Sequence, residues 1–176
     1  MKMYYSNKYN LEDNFMNVLE FAINMELDGE KYYNDQAEIT TDTSLKTVFL
    51  ILAKDEKSHA EILQKRSDKL SYKLENNETL SETKNLFKGI KYLKSEIKQI
   101  PNQLDLYRVA LEKEKESITL YEKLLLESED DESKKLFSYL IKQEKDHYEI
   151  LEELVSQLNK SDDWFESAEF GLTSED

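Results

Sequence analysis

One stretch of this chain repeats another at a fixed offset and without a gap. Adding 88 to the residue number carries Phe49 to Phe137, Glu56 to Glu144, Lys57 to Lys145, His59 to His147 and the run Glu61-Ile62-Leu63 to Glu149-Ile150-Leu151. The same shift carries Ala22 to Ala110, Glu26 to Glu114 and Tyr33 to Tyr121. A match that spans two consecutive segments predicts one structural unit present twice, with a pseudo-twofold axis between the copies.

The repeated unit reads as a helical hairpin. Apolar residues recur at helical spacing in four long stretches bounded by polar residues. The first holds Phe15, Leu19, Ala22, Gly29 and Tyr33 and breaks near Thr40-Thr41-Asp42; the second holds Leu45, Phe49, Leu52, Ile62 and Leu63 and fades around Lys69. The third starts after Pro101-Asn102, read as its N-cap, and holds Leu106, Ala110, Tyr121, Leu124 and Leu125 up to an acidic break at Glu127–Glu132. The fourth holds Phe137, Leu140, Ile141, Ile150, Leu151, Leu154 and Leu158. Three Gly and one Pro in 176 residues leave little turn chemistry for sheets. Breaks of a few residues near positions 41 and 129 can only reverse the chain, whereas residues 70–101 can travel the length of a bundle. Within them Leu86, Phe87, Ile90, Leu93 and Ile97 are spaced as in a short amphipathic helix.

The expected fold is all-α: an antiparallel four-helix bundle of two duplicated hairpins over residues 1–160, joined by a long crossover at 70–101. An acidic aromatic tail or short helix at 161–176 follows, carrying Trp164, Phe165 and Phe170. Those aromatics are expected to cap the bundle or a homodimer contact, with docking on a partner or a packaging signal as the alternative.

Charge narrows the function. With 38 Asp+Glu against 24 Lys+Arg the net charge is −14, which repels phosphate backbones and anionic lipid and draws cations. Nucleic acid and membranes are therefore excluded as partners. The absence of cysteine removes disulfides, thiolate nucleophiles, zinc fingers and iron–sulfur clusters. Residues 1–10 are polar and tyrosine-rich, unlike a signal peptide, and the longest apolar run, Val48 to Ala53, is about a third of a bilayer span. The expectation is a soluble cytoplasmic protein.

Chemistry enters where polar residues interrupt the apolar stripes. Glu56-x-x-His59 and Glu144-x-x-His147 each put a carboxylate and an imidazole one turn apart on the face that also carries Phe49 and Leu63, or Phe137 and Leu151. The preceding helices do the same with Glu26, between Ala22 and Tyr33, and Glu114, between Ala110 and Tyr121. Glu26 and Glu56 are equidistant from position 41, and Glu114 and Glu144 from position 129, so each pair sits about 22 Å from its turn. The repeat then predicts four carboxylates and two imidazoles meeting at mid-bundle. Unpaired charges in a core cost several kcal/mol each, about as much as anything a domain can tolerate, so cations must accompany them. Two divalent ions balance four carboxylates, and an oxygen-rich set with one nitrogen per metal suits iron or manganese, with zinc as a substitute. A lone Glu-x-x-His in so charged a chain is ordinary solvated surface; two on apolar stripes at equivalent positions are not. Tyr33 and Tyr121 lie two turns from the helix glutamates, where a hydroxyl can donate to a ligand carboxylate or simply belong to an aromatic core. Gly29 and Ser117 leave room either for oxygen or water or for close helix packing.

This constellation resembles the ferritin-like di-iron carboxylate proteins, in which two helices give a Glu and two give Glu-x-x-His. It is most similar to stand-alone members of the rubrerythrin branch, on Glu26 with Tyr33, Asp-Glu-Lys-Ser-His at 55–59, Glu114 with Tyr121, and Gln-Glu-Lys-Asp-His at 143–147. The resemblance spans residues 11–160, and the ending at 163–170 looks like tails in that group. It implies two iron ions, with Glu56 and Glu144 bridging, Glu26 and His59 on one metal, and Glu114 and His147 on the other. It also implies a non-haem oxidoreductase that reduces hydrogen peroxide or dioxygen in oxidative-stress defence or iron handling. Rubrerythrins with a cysteine-bound iron domain carry their own electron source; a chain without cysteine needs an external donor protein such as a rubredoxin. Ser117 stands where the third helix of that branch carries a further glutamate. A ferroxidase associated with iron storage is the alternative within this chemistry, and a structural or regulatory bundle the alternative outside it.

Overall fold

In the computed structural model the described residues are 3–88 and 103–171, with side chains described over 16–88 and 104–157. They form five α-helices and no strand: α1 (Met3–Ile39), α2 (Thr43–Ser67), α3 (Thr79–Phe87), α4 (Gln103–Glu127) and α5 (Asp131–Gly171). The chain divides into two compact units. One comprises residues 1–39 and 46–77, and so holds α1 and most of α2; the other comprises 40–45 and 78–176, with α3, α4 and α5.

In the first unit α1 and α2 run antiparallel, with the register set by contacts along their length. Tyr33 stacks on Phe49, ring centroids 6.4 Å apart, and these residues lie equally far from position 41. Two turns further from the reversal His59 meets Glu26, and further still the Ser67 hydroxyl reaches the Met16 sulfur at 3.8 Å. Leu19, Ala22, Phe49, Leu52 and Leu63 are fully buried. The second unit repeats the scheme: α4 packs on α5, Tyr121 stacks on Phe137 at 6.2 Å, and the Lys145 ammonium donates to Glu122 at 2.9 Å. Layers therefore recur every two turns, aromatic nearest the reversal, then ligand-type residues, then Leu19 and Leu63 or Tyr107 and Leu151.

Helix ends follow the same repeat. Asp42 Oδ1 accepts the Leu45 amide at 2.9 Å and Asp130 Oδ1 accepts the Ser133 amide at 2.8 Å, so each aspartate caps the second helix of its hairpin. The exit from α2 is a Schellman turn, with Leu70 N–H to Lys65 C=O at 2.8 Å and Lys69 N–H to Arg66 C=O at 3.2 Å. Its left-handed position, usually glycine, is Lys69 at φ 57°.

Four details differ from the sequence reading. Leu106 is 37 % exposed and Tyr107 occupies the core instead, because 107, 110, 114 and 121 share the row that carries Glu114. The described crossover helix α3 begins at Thr79, ahead of the expected row, and buries Thr79, Thr83 and Phe87, one turn apart each time; of that row only Leu86 and Phe87 fall within it. The α1 backbone is already helical at Met3, and α5 has no break at residue 160 but runs on to Gly171. Phe15, Ile90, Leu93, Ile97, the Pro101-Asn102 cap, Leu158 and the tail aromatics lie outside the residues whose side chains are described. No described helix is long and apolar enough to cross a membrane.

Urea unfolding should show Asp42→Ala and Asp130→Ala each losing about 1 kcal/mol, the usual worth of an aspartate N-cap. Lys69→Gly should move the other way, gaining about 0.5–1 kcal/mol by removing the Cβ from a left-handed residue.

Candidate metal centre

In the first unit, α1 supplies Glu26 and α2 supplies Glu56 and His59, and each is less than 5 % exposed. Helical spacing makes this unavoidable once the stripes are buried, since Glu26 shares a row with Ala22 and Tyr33, and Glu56 with Phe49, Leu52 and Leu63. Ligand atoms of Glu26, Glu56 and His59 lie within 4.8 Å of one another. His59 Nδ1 is 3.2 Å from Glu26 Oε2 and 4.0 Å from Glu56 Oε2, so the nitrogen nearest the backbone faces both carboxylates. The Glu56 side chain lies against α1 at Gly29: a Cβ there would stand 3.1 Å from its Cδ and Oε2.

The second unit assembles the equivalent triad. Glu114 of α4 and Glu144 and His147 of α5 are buried, with ligand atoms within 4.8 Å of one another. His147 Nδ1 is 3.7 Å from Glu114 Oε2. Ser117 occupies the place of Gly29, and its hydroxyl donates back to the Lys113 carbonyl at 3.1 Å. Beside His147, burial pushes the Asp146 carboxyl above its ordinary range, against the pull of Lys142 at 3.8 Å and of His147.

All six residues singled out as ligands are thus interior, three gathered in each unit. Tyr33 and Tyr121 are buried one layer nearer the reversals, ring against ring with Phe49 and Phe137. The space beside Gly29, read from the sequence as room either for oxygen or water or for close helix packing, is taken by the Glu56 side chain. Among the buried polar residues that the sequence reading did not single out, two directly precede a ligand glutamate. Asp55 accepts a 2.7 Å bond from Asn77 Nδ2, and Gln143, its counterpart in the repeat, is buried with neither amide atom hydrogen-bonded among the described residues. The signal was present in the aligned runs Asp-Glu-Lys-Ser-His and Gln-Glu-Lys-Asp-His, whose first positions are polar in both copies.

Two carboxylates and an imidazole converge in each unit, shielded from water, and such a donor set could hold a metal ion. The donors fit a hard or borderline divalent cation: oxygen dominates, one nitrogen is offered by each imidazole, and the negative charge equals that of one dication per triad.

The sequence matches the family described as Rubrerythrin over residues 17–155, which takes in both triads and both tyrosines. Among solved structures, a hypothetical protein from Pyrococcus furiosus is similar at a TM-score of 0.62 and 22 % identity, covering 82 % of this chain and 90 % of that one. At that identity the likeness speaks to fold alone, and it agrees with an all-α arrangement. No curated protein matches.

Buried like charge makes the two states of the centre respond oppositely to one substitution. In chelator-treated protein Glu56→Gln should melt no lower than wild type, since it removes an interior charge. With metal at about a hundredfold its dissociation constant, wild type should gain about 2.7 kcal/mol for each ion bound to the folded form alone, and Glu56→Gln should lose most of that gain. Calorimetry with and without metal tests both signs.

Proposed function

The chain belongs to the rubrerythrin family, and from that premise we propose that it is a non-haem di-iron oxidoreductase reducing hydrogen peroxide or dioxygen. The observation that carries the reading is the pair of equivalent interior triads, Glu26, Glu56, His59 and Glu114, Glu144, His147, in a chain of that family.

Glu26, Glu56 and His59 would hold one iron, and Glu114, Glu144 and His147 the other. Iron bound there supplies two electrons per pair, enough with two protons to take hydrogen peroxide to water or dioxygen to hydrogen peroxide. The chain's residues supply the rest. Four carboxylates offset the charge of two dications, and Nδ1 of each imidazole is the donor already facing carboxylate oxygen. Leu19 and Leu63, and Tyr107 and Leu151, close the layer beyond the ligands against water. We assign the Tyr33 and Tyr121 hydroxyls as donors that orient ligand carboxylates. With no cysteine in the chain, the electrons are proposed to come from a separate protein such as a rubredoxin. Oxidative-stress defence or iron handling in the cytoplasm, by a homodimer, is the setting this chemistry fits.

Protein purified without chelator should carry about two iron, manganese or zinc ions per chain, and Glu56→Ala combined with Glu144→Ala should abolish most of that content. Unchanged metal in the double variant would overturn the ligand assignment. After anaerobic loading with Fe(II), stopped-flow absorbance should show rapid oxidation by peroxide, by dioxygen, or by both. The faster oxidant separates a peroxidase from an oxidase or ferroxidase, and silence with both removes the redox reading.

A further inference from the structure

Position 29 lies deep inside α1, where glycine is the poorest helix former except proline. Nothing in the backbone asks for it, because no described glycine has positive φ. What glycine provides here is space. A Cβ at this position would come within 3.1 Å of Glu56 Cδ and Oε2 and 3.3 Å of Cγ, closer than side chains ordinarily pack. The same place in the second unit holds Ser117, whose Cβ is present and whose hydroxyl is turned back on the Lys113 carbonyl. The repeat thus puts a side chain on α4 at the point where α1 offers Glu56 bare backbone. The donor geometry of the two units also differs: His59 Nδ1 stands 3.2 Å from Glu26 Oε2, against 3.7 Å for His147 Nδ1 and Glu114 Oε2.

We propose that Gly29 is a positioning residue for Glu56, holding open the place against α1 that lets its carboxylate face His59, so that the two halves of the centre bind metal unequally. The inference rests on the two-metal reading above. A methyl group at position 29 has two effects of opposite sign. It favours the helix, and it pushes the Glu56 carboxylate by a few tenths of an ångström off the line to its partners. A glycine kept only for helix packing would show a different pattern, in which the added methyl weakens the metal-free fold and leaves metal binding as it was.

The test is an anaerobic Co(II) titration of the metal-free full chain, followed by visible absorption, alongside its melting temperature. Wild type should take up two Co(II). Gly29→Ala should melt as high as wild type or about 2 °C higher when metal-free, yet bind one of its two ions at least about tenfold more weakly, with an altered Co(II) band. Ser117→Ala, which adds no bulk, should bind both ions as wild type does. Two ions bound by Gly29→Ala with unchanged affinity and spectrum would overturn this inference alone, as would a metal-free Gly29→Ala that melts well below wild type or fails to fold. A wild-type chain that binds no Co(II) would overturn the two-metal reading and this inference with it.

Discussion

Interior carboxylates are tolerable only when something meets their charge, and this chain places two of them with an imidazole in the middle of each helical hairpin. The penalty for an unmatched interior ion is several kcal/mol, comparable to the whole stability of an ordinary domain at about 5–15 kcal/mol. The rest of each hairpin can be understood as what makes that concentration of polar groups survivable. Apolar layers sit on both sides of it along the axis, Tyr33 on Phe49 toward one end and Leu19 and Leu63 toward the other, with Tyr121 on Phe137, Tyr107 and Leu151 as counterparts. Aspartate caps at Asp42 and Asp130 fix where each second helix begins, and hence the height at which its Glu-x-x-His faces the neighbouring helix. A slip of one residue in either cap would rotate the ligand row by about 100° away from the core.

Most of this was legible because helical geometry converts sequence spacing directly into position. Equal distances of Glu26 and Glu56 from position 41 become equal heights only if both helices are continuous and antiparallel, and the Tyr33–Phe49 stack shows that they are. What spacing could not resolve was the choice between adjacent residues of similar character. Leu106 and Tyr107 are both apolar and differ by one step around the helix; burial goes to Tyr107 because it shares the row of Ala110 and Glu114. In the crossover, Thr79 and Thr83 take the buried row of α3 although leucines stand nearby, a row that apolar spacing alone does not mark. Threonine manages this because the Thr83 hydroxyl satisfies itself on the Thr79 carbonyl at 2.7 Å, a bond that hydrophobic pattern does not register.

Contacts between distant parts of the chain were illegible for a different reason. Asp55 precedes a ligand on α2 and reads as solvated surface in so acidic a sequence; it is buried because Asn77, in the segment after α2, reaches back to it. Gly29 is the sharper instance. From sequence it offers either a cavity or close packing, and only the third dimension shows that the Glu56 side chain occupies the space. A glycine says where room exists without saying what fills it.

Duplication explains why the two halves agree, and the positions where they disagree then carry information of their own. Offset pairs that keep identity, such as Glu26 with Glu114, Asp42 with Asp130, Tyr33 with Tyr121 and His59 with His147, are those that set register, caps and ligand chemistry. Among the pairs that diverge beside the ligands, Gly29 with Ser117 and Asp55 with Gln143 change space and charge while leaving every ligand in place. Asp55 is an acidic acceptor bonded to Asn77, whereas Gln143 is neutral, interior and without a hydrogen bond among the described residues. Identical donors set in dissimilar surroundings differ in orientation and basicity, because neighbours of a ligand tune both. The physical content of this chain therefore lies in a symmetric donor set whose two copies have been given different walls.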